Sequence, residues 1–327
     1  MAINTSSALR HWIPFKLSII GNQPHSYWLY TGQQAYTAPF FDETVSICRS
    51  LPQNSHPYRS LSSLDMLPVW ANEVDAIPPA AFIFHVSRCG STLLAQLLGL
   101  NDEHIVLAEA PFLDELLRWP YQNKEADRRM LSSVFPAALQ LYGQKRKGHE
   151  KHLFIKADSW HLCFYEQLRS MYPTVPFILL YRKPDEVIRS QRRQRGMQAV
   201  QGVIEPEIFG FDREEINEYS LDDYMVKVLE RYFTIMLDRS REDPLSLLVN
   251  YNEPIMDIMQ KIGAFTGVVF GENELQQMEE RSRYHAKYPN QVFLEPMEQK
   301  PMPESLLPVM DLYEQVEASR KGSGSAV

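Results

Sequence analysis

The chain has 327 residues, 44% of them hydrophobic and 23% charged, which suits a globular protein with one large core or two smaller ones. A formal net charge of −8 excludes a general nucleic-acid or membrane-surface binder, so an anionic ligand needs a local basic pocket. No apolar run reaches the roughly 18 residues of a membrane span, and His11, Pro14 and Lys16 interrupt any secretory leader pattern. The cysteines, Cys48, Cys89 and Cys163, stand far apart in neither disulfide nor zinc spacing. That points to a reducing compartment, and the expectation is a cytoplasmic protein.

Residues 1–75 scatter Trp12, Phe15, Tyr27, Trp28, Tyr30, Phe40 and Phe41 among Gly21, Gly32 and several prolines. They read as short strands and turns and a helix near Asp42–Leu51, together an N-terminal β-rich cap or subdomain. Pro52–Pro79 reads as a connection. Ala81–Val86 is an apolar run of β-formers, Ser87-Arg88-Cys89-Gly90-Ser91 breaks it, and Thr92–Leu100 continues as a leucine-rich helix. Strands follow at His104–Ala108, Leu153–Ala157, Pro176–Tyr181 and Ser246–Asn250. Helices are expected over Pro111–Arg118, Arg128–Arg146, Trp160–Tyr172, Pro184–Arg195, Leu221–Asp238 and Pro254–Thr266. Alternation of this kind predicts an α/β fold, a parallel sheet flanked by helices on both faces. The main domain is expected over residues 76–290. Residues 291–327, rich in Pro, Glu and Lys before a Gly/Ser tail, read as an extended C-terminal arm.

A buried strand, tight turn and helix form an anion cradle, because backbone N–H groups and the helix dipole converge on one spot. Gly90 allows close approach of a ligand, Ser91 and Thr92 add hydroxyls, and Arg88 adds a permanent cation. The nucleoside-triphosphate loop is excluded, since position 85 is His and no Lys follows Gly90. A Cys-based phosphatase loop is excluded as well, because position 95 is Ala. The second cluster is the strand Phe177–Tyr181, which runs into Arg182-Lys183-Pro184 and reaches Ser190 eight residues after Arg182. Arg189, Arg192, Arg193 and Arg195 make the neighbourhood basic; for Arg192 and Arg193 an exposed helix face is the plainer reading.

Ser87-Arg88-Cys89-Gly90-Ser91-Thr92-Leu93-Leu94 resembles the first signature of sulfotransferases that use 3′-phosphoadenosine 5′-phosphosulfate (PAPS). That signature is a strand, Pro or Ser, Lys or Arg, then Ser-Gly-Thr-Thr-Leu-Leu opening a helix. Cys89 departs from it by replacing a Ser. Arg182 and Ser190 keep the spacing of the family's 3′-phosphate pair. The resemblance spans about residues 80–290 and implies a P-loop-like sulfotransferase fold with PAPS as cosubstrate and no metal. By resemblance, Arg88, Cys89, Gly90, Ser91, Thr92, Arg182 and Ser190 bind the donor. Glu109, 21 positions after Arg88, matches the general base of the tyrosylprotein branch, and Lys156 matches a Lys near the transferred group. Catalysis would then fall to Arg88, Glu109 and Lys156, with His161 and His285 as weaker alternatives to Glu109 for taking the proton. Asn250-Tyr251-Asn252-Glu253 resembles the family's Tyr-Glu-Asp-Leu segment, with the acid two residues after the Tyr rather than next to it. Arg281–Lys287 is a further candidate anion holder, whereas Arg320-Lys321-Gly322 reads as a chance likeness to the family's late loop.

Glu109 also has a plain reading, a charge before the helix that starts at Pro111, and the two roles are compatible. The acceptor is a small-molecule or peptide hydroxyl that no pattern identifies, and the oligomeric state is equally illegible. Two other classes stay open: another phosphate-transferring P-loop enzyme such as a small-molecule kinase, and a nucleotide-binding protein without turnover. The first should bring Mg²⁺ and a Lys or carboxylate set not found here.

Overall fold

The structure is a computed structural model that describes residues 9–57, 59–284 and 301–323. Five strands make a parallel sheet in the order β5-β6-β4-β7-β8. They are β4 (Pro79–His85), β5 (His104–Ala108), β6 (His152–Lys156), β7 (Phe177–Tyr181) and β8 (Ser246–Asn250). Their apolar runs are continuous rather than alternating, as strands covered on both faces require. All five residues of β7 are buried. It pairs with β4 through Phe82–Phe177 to His85–Leu180, and with β8 through Phe177–Ser246 to Tyr181–Asn250. Three further strands, β1 (Trp12–Ile20), β2 (Gln23–Tyr30) and β3 (Leu61–Ser63), form an antiparallel sheet. The expected α/β class, with a β-rich N-terminal part, is what the structure has.

Besides a single turn at Pro206–Phe209, the helices among the described residues are α1 (Phe41–Arg49), α2 (Met66–Ala71), α3 (Ser91–Leu98), α4 (Pro111–Gln122), α5 (Leu131–Tyr142), α6 (Tyr165–Met171), α7 (Pro184–Arg193), α8 (Leu221–Glu242), α9 (Ile255–Thr266), α10 (Glu272–Ser282) and α11 (Leu307–Ser323). Pro111 and Pro184 open α4 and α7, where a missing N–H costs nothing. Ser220 caps α8 by accepting the Asp223 N–H at 3.1 Å. The helix expected over Trp160–Tyr172 begins as a 3₁₀ stretch, Ser159–Phe164, whose start Asp158 and His161 close with a capping box. The connection Pro52–Pro79 contains β3 and α2.

The extended C-terminal arm is corrected in part. Residues 291–300 lie outside the described residues, but Leu307–Ser323 is helical. Leu306, Val309 and Val316 are buried, and this apolar spacing of three and seven residues gives the segment a face to pack.

The chain divides into two compact units, Met1–Ala80 with Ala95–Lys156, and Ala81–Leu94 with Ala157–Val327. In the first, β1 packs on α4 and α5. Leu17 N–H donates to Glu115, and the Tyr142 hydroxyl donates to the Pro14 carbonyl at 2.6 Å. In the second, the core gathers β4, β7, β8, α7 and α8 around Phe82, Phe84, Phe177, Tyr181, Tyr224 and Phe233. Among the described residues no helix is long and apolar enough to cross a membrane.

Candidate active site

The turn after β4 is conformationally unusual. Ser87, Arg88 and Gly90 have φ of 67°, 51° and 78°, so two side-chain-bearing residues sit in the left-handed region. Each such residue costs on the order of 1–3 kcal/mol and persists only where its surroundings enforce it. The enforcing contacts are present. Ser87 N–H donates to His85 Nδ1 at 3.0 Å, and buried Gln191 on α7 donates to Ser87 Oγ at 3.2 Å. Val86 N–H and the Cys89 thiol both donate to the Leu180 carbonyl of β7, at 3.2 and 3.6 Å. Left-handed residues on both sides of Cys89 turn N–H groups of the loop to one side, the geometry of an anion nest. Ser91 and Thr92, the first residues of α3, add hydroxyls at a helix N-terminus.

Gly90 is doubly required. Beyond its positive φ, a Cβ there would lie 2.1 Å from Cε2 of Tyr251. The Tyr251 ring therefore rests directly on the loop, and the Arg182 guanidinium lies 5.2 Å from its centroid. Cys89 is fully buried with its sulfur turned to Leu180, so only its main chain can face a ligand. Of the donor-binding role that the resemblance gave Cys89, this leaves the main chain rather than the thiol.

Arg182 and Ser190 are both 7% exposed and meet the same loop. Arg88 Nε donates to Ser190 Oγ at 2.9 Å, and Arg182 Nη1 reaches the Arg88 carbonyl at 3.5 Å. Glu186, one turn after Arg182, accepts from its Nε at 2.6 Å and fixes the guanidinium plane. The remaining arginines of α7 and its exit are engaged elsewhere. Arg189 pairs with Asp185 at 2.8 Å, and Arg192 and Arg195 both hold Asp222, at 2.7 and 2.5 Å. Arg193 is exposed.

In the other unit, Lys156 ends β6 and Glu109 follows β5. Glu109 N–H donates to the Lys156 carbonyl at 2.8 Å, which holds Glu109 at a φ of 57°. The Lys156 ammonium, with no side-chain exposure, donates to Glu109 Oε1, whose side chain is 20% exposed. A buried ammonium needs such a countercharge. The Phe40 ring lies 5.3 Å from the same Nζ, a contact that nothing in the N-terminal sequence signalled.

His161 is buried, and its Nδ1 accepts the Asp158 N–H at 3.3 Å, so it serves as a cap. His285, Ala286 and Lys287 lie outside the described residues. Arg281, whose guanidinium pKa is pushed down by burial, donates to the Tyr284 carbonyl at 3.2 Å, and Arg283 pairs with Glu279. In Asn250-Tyr251-Asn252-Glu253 the displaced acid has a structural partner set. Glu253 accepts the Asn250 N–H at 3.1 Å and pairs with Arg320 at 3.0 Å.

No family model and no curated protein matches the chain. Among solved structures, it is similar to sulfotransferase STF9 from Mycobacterium avium, with 13% identity, a TM-score of 0.45 and coverage of 74% of this chain and 77% of that one. It is also similar to the sulfotransferase domain from the curacin biosynthetic pathway, with 16% identity, a TM-score of 0.44 and coverage of 73% and 99%. A sulfotransferase from Alicyclobacillus acidocaldarius is similar at 15% identity and a TM-score of 0.38, over 75% of this chain and 92% of that one.

Proposed function

We propose that the chain is a PAPS-dependent sulfotransferase that moves a sulfuryl group to the hydroxyl of a small-molecule or peptide acceptor and releases adenosine 3′,5′-bisphosphate. The observation that carries this reading is the meeting of Arg88, Ser190 and Arg182 at a strained, glycine-bearing turn. A bidentate guanidinium with a neighbouring hydroxyl suits a terminal phosphate, and a nest at a helix N-terminus suits a second anionic group. A nucleotide with phosphates at both its 3′ and 5′ positions fits that pair of donor sets.

In the transfer step the acceptor oxygen forms a bond to sulfur while the bond from sulfur to the bridging oxygen breaks. The electron pair goes to that oxygen on the departing 5′-phosphate, and the acceptor proton goes to Glu109. Arg88 and the loop amides stabilise the charge that develops, and Ser91 and Thr92 add hydroxyl donors; for Lys156 a like role rests on the family resemblance alone. Glu109 is suited to the base role as a carboxylate partly open to solvent and held in one conformation by the Lys156 carbonyl.

The test is PAPS turnover with a panel of phenols, alcohols and tyrosine peptides in the presence of EDTA. Formation of adenosine 3′,5′-bisphosphate together with a product 80 Da heavier than the acceptor, about the mass of the added SO₃ unit that this substitution leaves, is the expected result. Turnover that needs Mg²⁺ and a nucleoside triphosphate instead would replace the reading with a kinase.

A further inference from the structure

Helix α11 places Tyr313, Glu317 and Arg320 on one face, at spacings of four and three residues. That face meets the last register pair of the sheet, Tyr181 on β7 and Asn250 on β8. The Tyr181 hydroxyl donates to Glu317 Oε1, and Asn250 Nδ2 donates to the same oxygen at 2.8 Å and to the Tyr313 hydroxyl at 3.0 Å. Arg320 completes the set, donating to Glu317 at 3.1 and 2.8 Å while pairing with Glu253 at 3.0 Å.

The residues held in this way each precede a residue of the donor site. Tyr181 is followed by Arg182 and Asn250 by Tyr251. Tyr251 N–H donates to the Tyr181 carbonyl at 2.8 Å, which ties the two strand ends together at this level. Asn252 N–H closes back onto Asn250 Oδ1 at 2.9 Å, so the turn that carries Tyr251 is fixed through Asn250. One carboxylate thus governs both places from which Arg182 and the Tyr251 ring are presented to each other.

A helix that only covered the sheet could do so with apolar residues, as Val309 and Val316 do at full burial. A partly buried carboxylate, its side chain 15% exposed, is costly there unless its partners are in place, and the return is orientation rather than adhesion. We propose that Glu317 is a positioning residue for the 3′-phosphate subsite, acting through Tyr181 and Asn250 on Arg182 and Tyr251. This rests on the sulfotransferase reading, which supplies the 3′-phosphate.

The test is calorimetric titration of the full chain with adenosine 3′,5′-bisphosphate and with AMP, for the native protein, Glu317→Gln and Tyr181→Phe. The native protein is expected to prefer the bisphosphate. Glu317→Gln should cut bisphosphate affinity by about tenfold, roughly the worth of one hydrogen bond to a charged group, and leave AMP affinity within about twofold. Tyr181→Phe, which removes a single oxygen, should lower the same ratio by a smaller factor and keeps the test decisive if Glu317→Gln fails to fold. A merely structural role would weaken both nucleotides alike. A native preference unchanged in both folded variants overturns the proposal and spares the donor reading. A native protein that binds both nucleotides equally overturns both.

Discussion

Arg88 Nε donates to Ser190 Oγ at 2.9 Å, joining the turn after β4 to the middle of α7 across 102 residues of sequence. The contact does two things at once. It ties the Arg88 side chain to Ser190, while the Arg88 carbonyl accepts from Arg182 Nη1 at 3.5 Å, so one turn residue touches both. Removing either partner is therefore expected to disturb both proposed donor sets.

Arg88→Ala is expected to reduce turnover more than donor affinity, because charge stabilisation matters most as sulfur moves between oxygens. A loss of roughly 10²–10³ in kcat is the usual scale for removing one such donor. Steady-state kinetics with PAPS varied would check it, and a loss confined to KM would assign Arg88 to binding alone.

Cys89→Ser and Gly90→Ala, adjacent in sequence, should behave oppositely. The serine hydroxyl can take over the hydrogen bond to the Leu180 carbonyl, so folding and turnover should be kept. Alanine at position 90 meets both a positive φ of 78° and the Tyr251 ring, so the turn cannot keep its shape. Donor binding should be lost by Gly90→Ala in a protein whose far-ultraviolet circular dichroism is unchanged. Loss of activity in a folded Cys89→Ser would reveal a thiol-specific role.

Glu109→Gln keeps size and a hydrogen-bond acceptor for Lys156 but cannot take a proton. Turnover should fall on the order of 10²-fold or more, with adenosine 3′,5′-bisphosphate binding nearly unchanged. The deficit should narrow for acidic phenols, which arrive partly ionised. The variant should also melt earlier, since the buried Lys156 ammonium loses its countercharge. Full turnover with every acceptor would remove Glu109 from the chemistry.

Glu317 sets a pH dependence. Burial by itself raises its pKa, but hydrogen bonds from Arg320, Tyr181 and Asn250 and the Arg320 charge outweigh that, bringing it from 4.5 to about 2. A carboxyl with a lower pKa folded than unfolded stabilises fully above its unfolded value, and the contribution fades as pH falls through the folded one. The native melting temperature should therefore drop more steeply between pH 4.5 and 2 than that of Glu317→Gln. Parallel profiles would mean that the carboxylate is not held as described.

The sheet was legible because its strands are short, apolar and rich in β-formers. His104–Ala108 and Ser246–Asn250 were read to the residue, the strand–turn–helix order around Gly90 was read as well, and Arg182 and Ser190 were singled out by the family resemblance. What escaped depended on tertiary partners. Nothing in the identity of Glu109 announces a φ of 57°, which the Lys156 carbonyl imposes. The last helix was hidden by prolines and glutamates, and its decisive acid, Glu317, bonds to Tyr181 and Asn250, which are 136 and 67 residues away. That the Cys89 thiol turns to the Leu180 carbonyl was not legible either, because sequence does not say which way a turn residue points.

The central claim, that Arg182 and Ser190 recognise a 3′-phosphate, is tested most directly by thermal shift with adenosine 3′,5′-bisphosphate against AMP. A ligand that binds only the folded state stabilises it by about 2.7 kcal/mol at 100 times its Kd. The native protein should gain far more from the bisphosphate at equal concentration, and Arg182→Ala should erase the difference while keeping the small AMP shift. Equal shifts from the two nucleotides in the native protein would contradict the account.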